Sequence, residues 1–299
     1  MRVGSLAISV ALAASCGATA LAPAGPAPDA AVEWDGGSRS PAHGVVLAEV
    51  IQGASSDTFR AFADFAPGSD PFGWNGPVGD HPTAGDCACV QGISTPSPFG
   101  LPDAATIRLG DSGGILAEMS PFGVTVTADS TSTTYQGTSD LGSLWYVYPG
   151  GYPQVDASAW KPGDVLNMRS SGGSFPPLNV SVTAGGRLTG LSPSLAAAEL
   201  NISRDSDFTV SWTPDALPGQ TVLLALRQVT PNSLIACFCA APDQAGMLAL
   251  PASLVALYAS DASTCQVEVE RLNVSSVDTP IGTVQLVAAT AVAGPATVP

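Results

Sequence analysis

The clearest pattern in the chain is the alternation of apolar and polar residues over positions 208–213. Phe208, Val210 and Trp212 alternate with serine and threonine, which is the two-residue period of a strand with one buried and one solvated face. Acidic turn residues precede the run, and Pro214, which cannot donate a hydrogen bond to a sheet, follows it. The pattern predicts a core strand of a β-sandwich in which Trp212 is largely buried.

Short apolar runs of this kind recur roughly once every ten residues, with turns rich in Gly and Pro between them. Strands are predicted at 45–51, 58–65, 105–109, 115–119, 122–127, 143–148, 165–169, 178–183, 200–202, 208–212, 222–227, 233–239, 247–250, 264–272 and 283–288. One short helix is predicted over 251–258, where a proline precedes apolar residues three and four positions apart. The predicted fold class is therefore all-β.

The predicted strands divide into two groups at residues 184–186, where Ala-Gly-Gly interrupts the alternation. We expect two antiparallel β-sandwich domains, an N-terminal β domain over 42–183 and a C-terminal one over 184–290, the second holding the short helix. A tail over 291–299 follows, and we expect it to fray. With 45% hydrophobic residues among 299, the chain has enough apolar surface for about two such cores.

The amino terminus predicts export. Arg2 precedes an apolar run over 3–14 that is too short to span a bilayer, so residues 1–15 are typical of a signal peptide. The sequence ending at Cys16 (Leu-Ala-Ala-Ser-Cys) resembles a bacterial lipobox, with leucine one place further from the cysteine than usual. We expect a lipid on Cys16 as the membrane anchor. The alternative is plain secretion after cleavage at Ala-Thr-Ala, residues 18–20.

Residues 16–41 form a spacer rich in Ala and Pro that has too little apolar bulk to fold by itself. The predicted layout is a β-rich body held off a membrane by a flexible, disordered segment. The expected location is the bacterial cell envelope, as an outer-membrane or cell-surface lipoprotein.

The charge balance narrows the range of partners. Only 10 Lys and Arg residues stand against 25 Asp and Glu, for a net charge of -15. The basic residues are scattered along the chain, whereas nucleic-acid binding requires them in clusters. We therefore expect no nucleic-acid partner.

The cysteines are Cys16, Cys87, Cys89, Cys237, Cys239 and Cys265. Each Cys-x-Cys unit places its two side chains on the same side of a strand, and an oxidising compartment favours disulfides. The favoured bond joins Cys237 or Cys239 to Cys265. Buried thiols and a four-cysteine zinc site are the alternatives, and the roles of Cys87 and Cys89 stay open.

A family resemblance rests on several short motifs. They are Pro-Gly-Asp at 162–164, Ser-Gly-Gly at 171–173, Asp-Phe-Thr-Val-Ser-Trp-Thr-Pro at 207–214, Leu-Pro-Ala-Ser-Leu at 250–254 and Val-Glu-Val-Glu-Arg at 267–271. Over roughly residues 160–275 the chain resembles exported lipoproteins of myxobacteria and their relatives, a group without an established function. The resemblance implies export and an Ig-like β fold for the C-terminal domain, and it transfers no catalytic residue.

Two functions fit these features. The first is a non-enzymatic binding or structural module. Its ligand, a glycan or a protein, would contact an aromatic tip formed by Trp145, Tyr146, Tyr148 and Tyr152, since rigid aromatic rings offer a large contact area with a polar handle. The plainer alternative is that alternate residues of this strand fill the core.

The second function is an exported hydrolase of the glycosidase kind, which needs only two suitably spaced carboxylates. Asp205 with Asp207 and Glu268 with Glu270 are visible pairs, although a turn and a solvated strand face explain them. The two histidines are expected in exposed loops, and no nucleophile elbow, phosphate loop or zinc-binding helix motif is present. We therefore predict no catalytic residue, no metal and no cofactor.

Overall fold

The structure, a computed structural model, describes residues 42–53, 57–67, 83–92, 104–109, 115–120, 123–128, 131–135, 154–155, 160–172, 177–195, 199–230, 233–259, 265–279 and 282–299. Within these ranges the chain is β-structure apart from one short α-helix and one 3-10 turn. The predicted all-β class is therefore confirmed.

The strands of the described part are β1 (Ala42–Ile51), β2 (Asp57–Pro67), β3 (Thr83–Ala84), β4 (Cys87–Gly92), β5 (Ala104–Leu109), β6 (Ile115–Ser120), β7 (Gly123–Ala128), β8 (Thr131–Tyr135), β9 (Gln154–Val155), β10 (Val165–Gly172), β11 (Leu178–Thr183), β12 (Thr189–Ser192), β13 (Leu200–Asn201), β14 (Phe208–Thr213), β15 (Thr221–Thr230), β16 (Ser233–Pro242), β17 (Met247–Leu250), β18 (Cys265–Thr279) and β19 (Gly282–Thr297). The helix α1 spans Ala252–Val255, and the 3-10 turn spans Asp243–Ala245.

Three sheets are formed by these strands. The long sheet has the order β3-β4-β16-β15-β18-β19-β1-β2-β9, and β13 also pairs with β19. A six-stranded sheet has the order β11-β10-β5-β6-β7-β8, and a three-stranded sheet the order β12-β14-β17. β1 lies parallel to β19, from Gly44 opposite Val284 to Ile51 opposite Ala291. The first described strand is thus an interior strand of the long sheet.

The three-stranded sheet packs face to face on the long sheet. Phe208, Val210 and Trp212 of β14 are buried and share one hydrophobic core with Leu224 of β15 and Val267 of β18. Trp212 is 5% exposed, and the intervening positions of β14 are exposed or half-buried. β14 is therefore the core strand that the alternation predicts.

The six-stranded sheet reaches the long sheet at the β18–β19 hairpin, which β11 contacts. Met168 of β10 and Val180 of β11 are buried. The amide nitrogen of Asn273 in β18 donates to the Thr183 carbonyl at 2.7 Å. The ring of Phe59 in β2 meets Trp160 edge-on, with 5.6 Å between the ring centroids. These contacts hold the six-stranded sheet and the segment before β10 against the long sheet.

A buried arginine connects these layers. Arg271 of β18 is 2% exposed, and its guanidinium pairs with the Asp243 carboxylate at 2.9 Å. It also donates to the Arg187 carbonyl at 2.6 Å and to the Thr213 carbonyl at 2.7 Å. The second oxygen of Asp243 accepts from the Asp215 backbone at 2.5 Å. The Arg271 guanidinium thus links the long sheet to the end of β14, to the 3-10 turn and to the segment before β12.

The predicted boundary at 184–186 does not separate two sheets, because β1, β2 and β4 from its N-terminal side complete the long sheet. The glycines there are sites of close packing. A Cβ on Gly185 would lie 2.2 Å from Nε2 of Gln220, and one on Gly186 would lie 2.6 Å from Oδ2 of Asp215. The interrupted alternation therefore marks a segment packed closely against the neighbours of the buried arginine, where a larger residue would require the Gln220 or Asp215 side chain to move.

Two predictions near the C-terminus differ from the structure. The tail over 291–299, expected to fray, continues β19 to Thr297, with Ala296 fully buried and Val298 at 3% exposure. It is held because its last residues pair with β18 on one side and β13 on the other. The helix predicted over 251–258 is a single turn, after which the chain brings Tyr258 into the core at 0% exposure.

Replacement of Trp212 by alanine tests the core strand. The change removes a buried indole and its hydrogen bond from Nε1 to the Asp243 carbonyl, which is 2.9 Å long. The free energy of unfolding measured in urea should fall by about 3–5 kcal/mol, from lost burial and the cavity left behind. Thr209→Ala on the exposed side of the same strand should change it by less than about 0.5 kcal/mol. Equal small effects would contradict the placing of β14 in the core.

Candidate functional site

The four cysteines of the two Cys-x-Cys units meet on neighbouring strands. β4 runs antiparallel to β16, with Cys89 opposite Cys237 and Cys87 opposite Cys239. Disulfides join both pairs, with Cα separations of 3.9 Å and 4.1 Å. All four residues are at most 3% exposed. We call this pair of parallel bonds the disulfide ladder.

The predicted bond from Cys237 or Cys239 to Cys265 is wrong, although Cys237 and Cys239 are disulfide cysteines as expected. Cys265 begins β18, and β15 lies between β18 and β16. Cys265 stands opposite Gln228 of β15, so a whole strand separates it from the ladder. It is a buried thiol. With their sulfurs bonded to one another, the four ladder cysteines offer no thiolate to the zinc ion considered as an alternative.

Burial also sets the chemistry of the groups beside the ladder. Loss of solvent raises the pKa of the Cys265 thiol to about 11, against a partial opposing effect of its hydrogen bond with Gln228. Burial likewise raises the pKa of Tyr258 well above its ordinary value. The Tyr258 hydroxyl donates to the Leu226 carbonyl and accepts from the Cys237 backbone. Both groups are therefore neutral at physiological pH and act as packing elements of the ladder's surroundings.

Disulfides form and persist in oxidising compartments. The ladder therefore indicates that this chain folds in an oxidising or extracellular environment. In the part of the chain that the structure describes, no helix has the length and apolarity needed to cross a membrane.

The carboxylate pair Glu268 and Glu270, expected on a solvated strand face, is buried at 1% exposure for each residue. Glu49 of β1 is fully buried on the same face of the long sheet, and one carboxylate oxygen from each of the three lies within 4.8 Å of the others. Arg227 of β15 donates to Glu268. We call Glu49, Glu268 and Glu270 the carboxylate layer.

Small residues make room for this layer. Ala291 of β19 lies between Glu270 and the β1 strand, and Ala289 stands opposite Glu49. Methyl groups at these positions leave space above the sheet that larger side chains would fill. Among the described residues, the layer is the group whose oxygen atoms lie close enough to share a divalent cation, and carboxylates are the ligands that such hard cations take.

The other predicted pair has a structural role. Asp205 and Asp207 are exposed in the turn before β14, as the sequence predicts. Oδ1 of Asp207 accepts from the backbone nitrogen of Ala252 at 2.8 Å. A carboxylate at this position satisfies a free N–H group of α1 and lies near the positive end of its peptide dipoles. The remaining predicted site residues, Cys16, Trp145, Tyr146, Tyr148 and Tyr152, lie outside the described residues.

Comparison with known proteins adds little to this geometry. No family model matches the chain, and no curated protein matches it. Among solved structures, the chain is similar to the crystal structure of murine CEACAM1b, with 11% sequence identity and a TM-score of 0.18 over 81% of this chain and 96% of that one. At so low a TM-score the similarity adds nothing to the fold that the strands themselves define.

The thiol of Cys265 predicts how stability depends on alkaline pH. Its pKa is raised from 9.0 to about 11 by folding, so the folded state favours the protonated thiol. The resulting stabilisation is complete below pH 9.0 and is lost as the pH rises towards 11. Urea unfolding followed between these values should show a steeper loss of stability in the wild type than in Cys265→Ala.

Tyr258 is present in both proteins, and burial raises its pKa in both. The smaller rise that its pKa owes to the charge on Cys265 is absent in the variant, so it belongs to the effect of removing the thiol. The slopes against pH are compared, and not the absolute stabilities, because the alanine variant also loses packing. Identical slopes in the two proteins would contradict a buried, protonated thiol at position 265.

Proposed function

We propose that the chain is an exported, surface-tethered lipoprotein that acts as a non-enzymatic binding or structural module. The observation that carries the proposal is the disulfide ladder, since two buried disulfides require maturation outside a reducing cytosol. A leader and the lipobox-like sequence before Cys16 supply the route and the anchor. The envelope location and the lipid on Cys16 are part of this proposal.

The way in which the spacer joins the fold supports a tethered role. The spacer over 16–41 leads directly into β1, which is hydrogen-bonded on both sides, to β19 and to β2. A force applied through the anchor would therefore act on two rows of backbone hydrogen bonds, which must break together. If β1 were an edge strand, a single row of hydrogen bonds would oppose the same force. The sheet is suited to hold a load transmitted from a membrane.

The same topology supports a ligand site away from the anchor. In the β1–β2 pair, Ala42 stands opposite Pro67, while the opposite end of β2 pairs with β9. Ten strand residues span roughly 30 Å. The predicted aromatic tip, ending with Tyr152, comes just before β9 in the sequence. Its point of attachment, Gln154, stands opposite Thr58, near the end of β2 that lies away from the spacer.

The hydrolase alternative has less support. A glycosidase needs two carboxylates that a sugar and a water molecule can reach, whereas Glu49, Glu268 and Glu270 are at most 1% exposed. Asp207 is engaged with the helix terminus. The carboxylate layer is therefore closed to a sugar substrate, which leaves the hydrolase with less support than the binding module.

Metabolic labelling with a palmitate analogue tests the anchor. The wild-type protein, expressed in a bacterial host that processes lipoproteins, should incorporate the label. It should also sediment with the membrane fraction, because a diacylated Cys16 anchors it there. Cys16→Ser should lose both properties while keeping the disulfide ladder. Equal labelling of the two proteins, or a mature chain that begins at Leu21, would replace the anchor by plain secretion.

The same preparations test the binding part of the proposal. The mature body is applied to glycan and peptide arrays beside Tyr148→Ala/Tyr152→Ala, with Tyr258→Phe as a control that alters a buried core tyrosine outside the tip. Signals should fall for the double variant and persist for Tyr258→Phe. Signals that are unchanged in the double variant would remove the aromatic tip as the ligand site.

A further inference from the structure

The two bonds of the disulfide ladder join the same two strands. Their sequence separations are 152 and 148 residues, so whichever forms first closes a very long loop. The second then closes only a small ring, since a single residue separates the cysteines of each unit. Loop-closure entropy grows with the logarithm of loop length. The second bond therefore adds little to the entropic stabilisation of the fold, which points to a different role for it.

We propose that the disulfide ladder is a two-bond latch, in which each bond restores the other and the β3–β4 hairpin is released from β16 only when both are reduced.

The restoring step is a thiol–disulfide exchange. A thiolate of a dithiol reductant attacks the sulfur of Cys87, forming a mixed disulfide and releasing Cys239 as a thiolate. If the second thiol of the reductant then displaces Cys87, the reductant becomes a cyclic disulfide and the protein gains two electrons and two protons. While Cys89–Cys237 is intact, β4 stays in register and Cys239 stays opposite Cys87. Cys239 then attacks the mixed disulfide first and expels the reductant.

The last bond lacks this protection. Among the described strands, β4 has β16 on one side and β3 on the other, and β3 pairs with it through Thr83 and Ala84. With both bonds open, the hairpin is held by its hydrogen bonds to β16 and by the packing of the cysteines, Ala84 and Ala88. The effective concentration of each thiol pair falls once the hairpin separates. The first bond therefore needs a higher concentration of reductant than the second. Once the first bond is reduced, the second is reduced at the same concentration, so that both are lost together.

No described thiol competes with this exchange. Cys265 lies on β18, with β15 between it and β16. Burial also keeps its thiol protonated at neutral pH, since its pKa is about 11, and only a thiolate attacks a disulfide. The exchange therefore re-forms the original disulfides and does not produce new cysteine pairings.

Equilibration of the folded, mature protein with increasing dithiothreitol tests the latch. Thiols are trapped with N-ethylmaleimide in denaturant, and the labelled cysteines are read by peptide mass spectrometry. At the midpoint, molecules with none or all four of the ladder cysteines labelled should dominate. Molecules with one open bond should stay below about a tenth of the total, because the remaining bond closes the other again. A majority of such one-bond molecules at the midpoint would overturn the proposal.

Two matched variants isolate each bond. Cys87→Ser/Cys239→Ser retains only Cys89–Cys237, and Cys89→Ser/Cys237→Ser retains only Cys87–Cys239. Each remaining bond should open at a dithiothreitol concentration about tenfold or more below the wild-type midpoint. An unchanged midpoint would overturn the proposal, and the label distribution in the wild type decides it if either variant fails to fold.

Hydrogen exchange gives the conformational readout. The peptide that contains Thr83–Gly92 should exchange slowly until both bonds are reduced and rapidly thereafter. Continued protection of this peptide in the fully reduced protein would show that the hairpin is not released, and would contradict that half of the latch.

Discussion

The arrangement of the sheets depends on one buried ion pair, Arg271 with Asp243. An arginine that leaves water loses hydration worth several kcal/mol, and this cost is offset only when its donors all find acceptors. Arg271 meets that condition with the Asp243 carboxylate and the carbonyls of Arg187 and Thr213. These acceptors belong to separate segments of the chain. None can move away without leaving a buried charge without its full set of hydrogen bonds.

Asp243 extends the same network in other directions. Its carbonyl accepts from the Trp212 indole at 2.9 Å, and its backbone nitrogen donates to the Gln220 carbonyl at 2.9 Å. Gly186 donates to Asp215 at 2.7 Å, next to the point where Asp215 donates to Asp243. Polar groups in a water-poor core strengthen one another when all are satisfied. The network therefore fixes the 3-10 turn and the glycine segment against the core strand β14.

The disulfide ladder and the first strand act at two other places in the long sheet. The ladder joins β4 to β16 near one edge, and β1 enters the sheet between β19 and β2. The strands from the N-terminal part of the chain are thereby held covalently at one place and by two neighbouring strands at the other. These two attachments fix both the β3–β4 end and the β1–β2 end of the long sheet to its central strands.

Sequence patterns predicted the elements better than their pairing. The strict alternation located β14 and the burial of Trp212, because burial of one face is a local property of the strand. Which strands become neighbours depends on contacts far apart in the chain. The pairing of β4 with β16 was therefore missed, and with it the partners of Cys87 and Cys89. The sequence did contain one indication of this pairing. When two Cys-x-Cys units lie on neighbouring antiparallel strands, the first cysteine of one unit stands opposite the second cysteine of the other.

The burial of Glu268 and Glu270 was not predicted from the sequence, for a related reason. Alternation shows that a strand has two different faces, and polar residues on one face normally indicate water. Here both faces of the long sheet are covered, and the polar face carries the carboxylate layer. The run Val-Ala-Ala-Thr-Ala-Val-Ala over 287–293 of β19 is apolar on both faces. That run indicates a strand buried on both sides and marks its neighbours as buried too.

The measurement that tests the central role of the buried ion pair most directly is urea unfolding of Arg271→Ala beside Arg204→Ala. Arg204 also donates to a backbone carbonyl, that of Ala256, but at an exposed position. Loss of Arg271 leaves Asp243 buried without its partner, so the free energy of unfolding should fall by about 3–5 kcal/mol. Arg204→Ala should cost less than about 1 kcal/mol. Equal small losses for the two variants would contradict the claim that Arg271 holds the sheets in their arrangement.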